Sequence, residues 1–196
     1  MESVALSAMT RIIAGFAGSL ALAVPRSGTR PTSDRVREAI FSALESRDLL
    51  AGASVVDLYA GSGALGLEAA SRGAASVTLV DNGQPAVRAA RENARLVERS
   101  ARAGRAPAIT VVAQSVQAFL GASGATWDIA LLDPPYELGD AELQRTLETL
   151  APRLASDAVV LVERSSRSAE PGWPDDVELD RRKDYGDTTL WWARRS

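Results

Sequence analysis

Short apolar runs alternate along this chain with stretches in which apolar positions recur every three or four residues. The runs at 54 to 59, 75 to 81, 108 to 113, 127 to 133 and 157 to 163 predict strands, and the helical spacing fills about 64 to 72, 84 to 103, 115 to 121 and 140 to 154. Alternation of this kind signals a parallel sheet with crossover helices. Upstream, Thr10 to Gly15 and Leu20 to Val24 read as a small hairpin around a Gly-Ser turn. Ser33 or Asp34 then caps a helix whose apolar face is Val36, Ile40, Phe41 and Leu44. After a loop rich in Ser, Gly and Pro, two strands near 176 to 184 and 187 to 194, separated by Tyr185-Gly186, predict an antiparallel pair at the end of the sheet. The fold class expected is α/β, with 1 to 9 a disordered extension, 10 to 32 a hairpin and basic loop on the substrate side, and 33 to 196 the catalytic domain.

Composition narrows the chemistry. The chain has 196 residues with no cysteine and no histidine. Disulfides, thiolate metal sites, thiol nucleophiles and the commonest general base are therefore excluded. Carboxylates, hydroxyls and backbone groups must suffice, and no metal is expected. The net charge of −3 argues against a uniformly basic nucleic-acid binder and directs attention to local patches. Residues Ile12 to Ala23 are fairly apolar but interrupted by Gly15, Gly18 and Ser19, too short to span a bilayer, with no secretory cleavage pattern behind them. A cytoplasmic monomer is expected.

Two loops carry the chemistry. Asp57-Leu-Tyr59-Ala-Gly61-Ser62-Gly63-Ala-Leu-Gly66 leaves the first strand of the main sheet and opens a helix, with glycines that let the backbone turn sharply and approach a ligand. Asp81, followed by Asn82, lies about 20 residues on, where an acidic ribose ligand belongs. This spacing alone admits either a nicotinamide cofactor or S-adenosylmethionine. Asp57 tips the balance, because a carboxylate inside the strand would repel a pyrophosphate and suits a cationic ligand. Gln114 and Ser115, after the third strand, are the candidates for the adenine edge; Ser115 serves equally well as a helix cap.

The second loop is Asp133-Pro134-Pro135-Tyr136, at the end of the apolar run Ile129 to Leu132. The exocyclic amine of a base is a poor nucleophile because its lone pair is delocalised into the ring. Asp133 and the Pro134 carbonyl can each accept one of its hydrogens, and Tyr136 can stack on the base. A methylated amine is briefly acidic, so its proton can leave after transfer without a histidine.

Taken together, Arg11-Ile-Ile-Ala-Gly15, Arg30-Pro-Thr-Ser-Asp-Arg-Val-Arg-Glu-Ala-Ile-Phe41, Asp57 to Gly63 and Asp133 to Tyr136 resemble the RsmD family of class I, S-adenosylmethionine-dependent methyltransferases. The resemblance runs from Thr10 to the end. It implies a Rossmann-like, seven-stranded sheet with an N-terminal hairpin. It also implies N2 of a guanine in small-subunit (16S) ribosomal RNA as the acceptor, and the net charge of −3 makes the subunit or an assembly intermediate, rather than naked RNA, the expected substrate. By that resemblance Asp133, Pro134 and Tyr136 take the acceptor site, and Asp57, Gly61, Gly63 and Asp81 take the cofactor; Tyr59, Ser62, Asn82, Gln114 and Ser115, in the same turns, are further candidates for cofactor contact. Glu163 and Lys183 to Gly186 match family-like positions without an assigned chemistry.

Arg11, Arg26, Arg30, Arg35 and Arg37 form a candidate RNA-contacting cluster. Arg88, Arg91, Arg95, Arg99 and Arg102 recur at helical spacing, and pairing with Glu92 and Glu98 would account for much of that stripe. The competing readings are an amino-methyltransferase acting on adenine or a protein glutamine, a non-catalytic RNA-binding assembly factor and a nicotinamide oxidoreductase.

Overall fold

The computed structural model describes residues 10–25, 32–102 and 106–196. The expected extension at 1 to 9, together with Arg26 and Arg30, lies outside the described residues. Two short strands, β1 (Thr10–Arg11) and β2 (Ala21–Leu22), precede α1 (Asp34–Glu45). The main layers follow as β3 (Ser54–Leu58), α2 (Ala64–Ser71), β4 (Ser76–Asp81), α3 (Gln84–Ser100), β5 (Ala108–Ala113), α4 (Val116–Ala122), β6 (Trp127–Leu132) and α5 (Asp140–Leu150). The chain ends in β7 (Leu154–Ser165), β8 (Val177–Tyr185) and β9 (Thr188–Arg195).

The seven-stranded sheet has the order β5-β4-β3-β6-β7-β9-β8. Strands β3 to β7 run parallel to one another, and β9 is antiparallel to both β7 and β8. Because the last strand inserts between β7 and β8, it is an interior strand. Trp191 and Trp192 point to opposite faces, as alternation requires, but neither keeps an exposed ring: they are 3% and 2% accessible. Arg182 and Arg181 of β8 lie over them at 5.0 and 4.8 Å from the ring centroids. Each tryptophan belongs to a different core layer.

Element boundaries differ from the sequence expectation in ways that have a local cause. The helix drawn to 154 ends at Leu150, because Ala151–Arg153, with Pro152, tightens into a 3₁₀ turn and Leu154 already belongs to β7. Helix α3 stops at Ser100 because Ala101 is extended. The N-terminal hairpin is only two residues per strand, since its backbone donors go elsewhere. Ile13 and Ala14 donate to Glu68 at 2.7 and 3.0 Å, while Phe16 and Ala17 donate to the Ser71 carbonyl and hydroxyl at 3.0 Å each. A Cβ on Gly15 would overlap Ser71, so this tight approach requires glycine. Ile12, Ala17 and Leu22 enter the same core as α1 and α2. Asn93 of α3 completes the docking by bonding both backbone groups of Ala23 at 2.8 and 2.9 Å.

Candidate active site

The C-terminal ends of β3, β4, β6 and β7 meet at one edge of the sheet, and each delivers a carboxylate there. Asp57 sits between Leu79 of β4 and Leu131 of β6, which buries it almost completely. Its Oδ2 accepts from the Gly66 N–H at 2.8 Å, while its Oδ1 is buried without a partner. Close contact between α2 and the sheet explains Gly66. A Cβ there would overlap Leu79 and come within 2.9 Å of Val77 and 3.1 Å of Asp57. The turn itself is left-handed at Tyr59, Gly61 and Gly63, and Gly63 is the cap residue of α2. At the end of β4, Asp81 accepts from Gly61 N–H through Oδ2 at 2.9 Å and from Gly83 N–H through Oδ1 at 2.7 Å.

A cavity of about 490 Å³ opens over this turn. Asp57, Tyr59, Gly61, Ser62, Asp81, Asn82, Ser115 and Asp133 all line it. Gly63 lies behind the wall, packed on Leu79, and shapes the loop rather than the surface. Gln114 is exposed and does not line the cavity; α4 presents Gln117 instead, held by Thr146 at 2.8 Å. Ser115 both lines the cavity and caps α4, accepting from Ala118 N–H at 3.3 Å. Sequence reasoning missed Thr32, Pro85, Leu138 and Glu142 as lining residues. Pro85, in the first turn of α3, and Thr32, within the Arg-Pro-Thr block, carried a local signal; Leu138 and Glu142 carried none.

On the acceptor side, Asp133 follows β6 and also faces the cavity. Its Oδ2 and the Oε2 of Glu163, on β7, both accept from the Thr32 hydroxyl, at 3.2 and 2.9 Å. The Pro135 carbonyl takes the Leu138 N–H at 2.9 Å, whereas the Pro134 carbonyl has no hydrogen-bond partner among the described residues. Tyr136 is 67% accessible, an unusual exposure for an aromatic ring.

Burial raises the pKa values of three of these acids. Burial pushes Asp57 up to about 8, with the charges of Asp133 and Asp81 adding to it. Burial likewise lifts Asp133 to about 6, and lifts Glu163 to about 8 with a further push from Asp133. An unpartnered buried carboxylate oxygen within an acidic cavity fits a ligand carrying positive charge, as S-adenosylmethionine does through its sulfonium and ammonium, and disfavours a pyrophosphate. Among the described residues, no group of three or more His, Cys, Asp or Glu side chains could hold a metal ion.

The arginines divide by environment. Arg11 and Arg35 are exposed. Arg37 is not on the surface at all: its guanidinium is fully buried, bonded to the Thr10 hydroxyl at 3.0 Å and to the Arg11 carbonyl and Asp34 at 2.7 Å each. It is a strut for the hairpin, and its placement in the RNA-contacting cluster is corrected. Arg72 is similarly buried, bridging Glu38, Glu45 and Glu68. The stripe on α3 runs the other way. Arg88, Arg91, Arg95, Arg99 and Arg102 are exposed, and the expected pairs with Glu92 and Glu98 do not form among the described residues.

Comparison with known proteins agrees with this geometry. The family described as Conserved hypothetical protein 95 matches residues 10–194. Ribosomal RNA small subunit methyltransferase D of Escherichia coli K12 is 36% identical over 183 residues, covering 92% of this chain and 87% of that protein. The solved structure of yhhF from Escherichia coli has a TM-score of 0.82 at 32% identity, covering 96% of this chain and 98% of that one. Magnesium protoporphyrin IX methyltransferase from Synechocystis, solved with bound S-adenosylmethionine, shares the fold with a TM-score of 0.64 at 18% identity, over 86% of this chain and 87% of that one.

Proposed function

The chain belongs to the Conserved hypothetical protein 95, or RsmD, family and is an S-adenosylmethionine-dependent methyltransferase; we propose that its acceptor is the exocyclic N2 amine of a guanine in small-subunit ribosomal RNA. One observation carries the reading: Asp57 and Asp81, from the cofactor turn, and Asp133, from the acceptor loop, line a single cavity.

When bound, the cofactor supplies a methyl group activated by its sulfonium. Asp57 offers its free Oδ1 to the cationic methionine end of that cofactor. Asp81 keeps lone pairs for the ribose hydroxyls while the Gly61 and Gly83 amides hold its carboxylate still. Asp133 and the Pro134 carbonyl accept the two hydrogens of the amine, so that the nitrogen lone pair is free to point at the methyl. Tyr136 stacks on the base. Each charge-assisted hydrogen bond contributes roughly 1.5 to 3 kcal/mol. Alignment of the reacting atoms supplies about 7 to 11 kcal/mol, so positioning outweighs chemical activation. Asp133, whose pKa of about 6 suits a temporary acceptor, takes the proton that leaves after transfer.

The exposed Arg11 and Arg35 contact phosphate, and the acidic whole leaves part of the docking to ribosomal proteins of a subunit or assembly intermediate. No helix among the described residues is long and apolar enough to cross a membrane, and we take the protein to act as a cytoplasmic monomer without a metal. Incubation with labelled S-adenosylmethionine and small subunits lacking the modification should place label on guanine N2. Label on adenine, on protein or nowhere would refute the proposal.

A further inference from the structure

Glu163 has no part in that scheme, yet it stands beside the acceptor loop. It lines a small cleft together with Asp133, Pro134, Pro135 and Tyr136. Its Oε2 shares the Thr32 hydroxyl with Asp133 Oδ2. A threonine hydroxyl carries one hydrogen, so it serves one carboxylate at a time. The neighbouring Arg164 gives no help, because it bonds the Leu138 carbonyl and Asp140 at 3.1 and 3.0 Å. No basic side chain pairs with either acid among the described residues. Two carboxyls, both raised in pKa by burial, are thus short of donors at one point on the acceptor side.

The bases differ in what they bring to such a pair. Guanine presents two adjacent donors on one edge, N1–H and the N2 amine. Adenine and cytosine present an amine beside a ring nitrogen whose lone pair is an acceptor. We propose that Glu163 accepts the N1–H of the target guanine while Asp133 accepts from its N2 amine, which makes Glu163 a residue that selects guanine among the amine-bearing bases. This rests on the proposed ribosomal RNA reading and gives it a physical basis within the site. The two base hydrogens meet the donor deficit of the pair, and any proton the pair holds in the free protein is released to solvent as they arrive. With Glu163 ionised, as in an assay above about pH 8, a ring nitrogen without hydrogen would instead set its lone pair against the carboxylate, the kind of mismatch by which a site built for a donor rejects an analogue lacking one.

2-Aminopurine tests this directly, because it keeps the amine of guanine and lacks N1–H. Small subunits would be assembled with guanine or 2-aminopurine at the position located by the labelling experiment, and kcat/KM measured for the wild type and E163Q. The wild type should prefer guanine by about 10- to 100-fold, the discrimination a well-placed pair of hydrogen bonds confers. In E163Q the amide can turn either its oxygen or its NH2 to N1, so the preference should fall to about twofold or less. Titration with S-adenosylmethionine checks that the variant is folded. If E163Q does not fold, the wild-type ratio alone decides. Equal use of the two bases by the wild type, or an undiminished preference in E163Q, overturns the role of Glu163 and leaves the proposed function standing. Failure of the wild type to methylate guanine at all removes both.

Discussion

At the ends of β3 and β4 three carboxylate oxygens are each held by a backbone N–H from the adjoining turns, Gly66 on Asp57 and Gly61 and Gly83 on Asp81. At the ends of β6 and β7, Asp133 and Glu163 share one hydroxyl from Thr32, which lies 101 and 131 residues away in sequence. The cofactor half is assembled by local backbone and stands ready before any ligand arrives. The acceptor half keeps surplus acceptors, which under the proposed function a donor-bearing base would complete. Each half thus leaves an acceptor open, Asp57 Oδ1 on one side and the Asp133–Glu163 pair on the other, the first suited to a cationic cofactor and the second to the amine edge of a base.

The largest effect should come from breaking the acceptor half alone. Asp133→Ala should lower single-turnover methylation by about 100- to 1000-fold, the usual consequence of removing a preorganised polar group, and leave S-adenosylmethionine affinity within about threefold as calorimetry reads it. Comparable losses in both would show that the halves are not separable. Tyr136→Ala comes next. Its exposed ring contributes stacking of about 1 to 3 kcal/mol, so KM for subunits should rise roughly 5- to 100-fold with no change in melting temperature.

Breaking the cofactor half should look different. Gly66→Ala forces a methyl against Leu79, Val77 and Asp57, and overpacking of this kind costs about 1 to 3 kcal/mol. A lowered melting temperature and weakened cofactor binding should appear together. The cofactor half should also show a pH dependence, modest over any single pH unit. The pKa of Asp57 in the folded protein is raised to about 8, above its unfolded value. The folded state therefore binds more protons between about pH 4 and 8, and this group's contribution to stability is lost as pH rises through that window. A cationic ligand reverses the preference, so S-adenosylmethionine affinity should rise with pH, by at most about tenfold per unit, until Asp57 is ionised. Asp57→Asn should flatten both curves. A pH-independent affinity in the wild type would remove Asp57 from the cationic end of the cofactor.

The same contrast explains what could be read from the chain. The turn after β3 is local, so the spacing of Asp57, Gly61, Gly63, Gly66 and Asp81 was enough to mark it as a candidate site, and Asp57, Gly61 and Asp81 do line the cavity. The Asp133 loop was visible as an apolar strand ending in an acid and two prolines. Its partners were not, because Glu163 reaches it through the sheet order and Thr32 through the segment leading into α1. Arg37 looked like its neighbour Arg35 in sequence, yet the docking of the hairpin onto α1 and α2 buries one and exposes the other. Alternation along the last strand sends Trp191 and Trp192 to opposite faces, and only the insertion of β9 between β7 and β8 shows that both are covered. Gln117 replaced Gln114 at the cavity because the turn into α4 carries Gln114 outward, and no spacing rule marks that rotation.

The central claim is methyl transfer to the amine of a guanine through Asp133. Its most direct test is nucleoside mass spectrometry of small-subunit ribosomal RNA after reaction with the wild type and with Asp133→Ala. N2-Methylguanosine should approach one per subunit with the wild type and remain a trace with the variant. A methyl on another nucleoside, or equal yields from the two proteins, would contradict it.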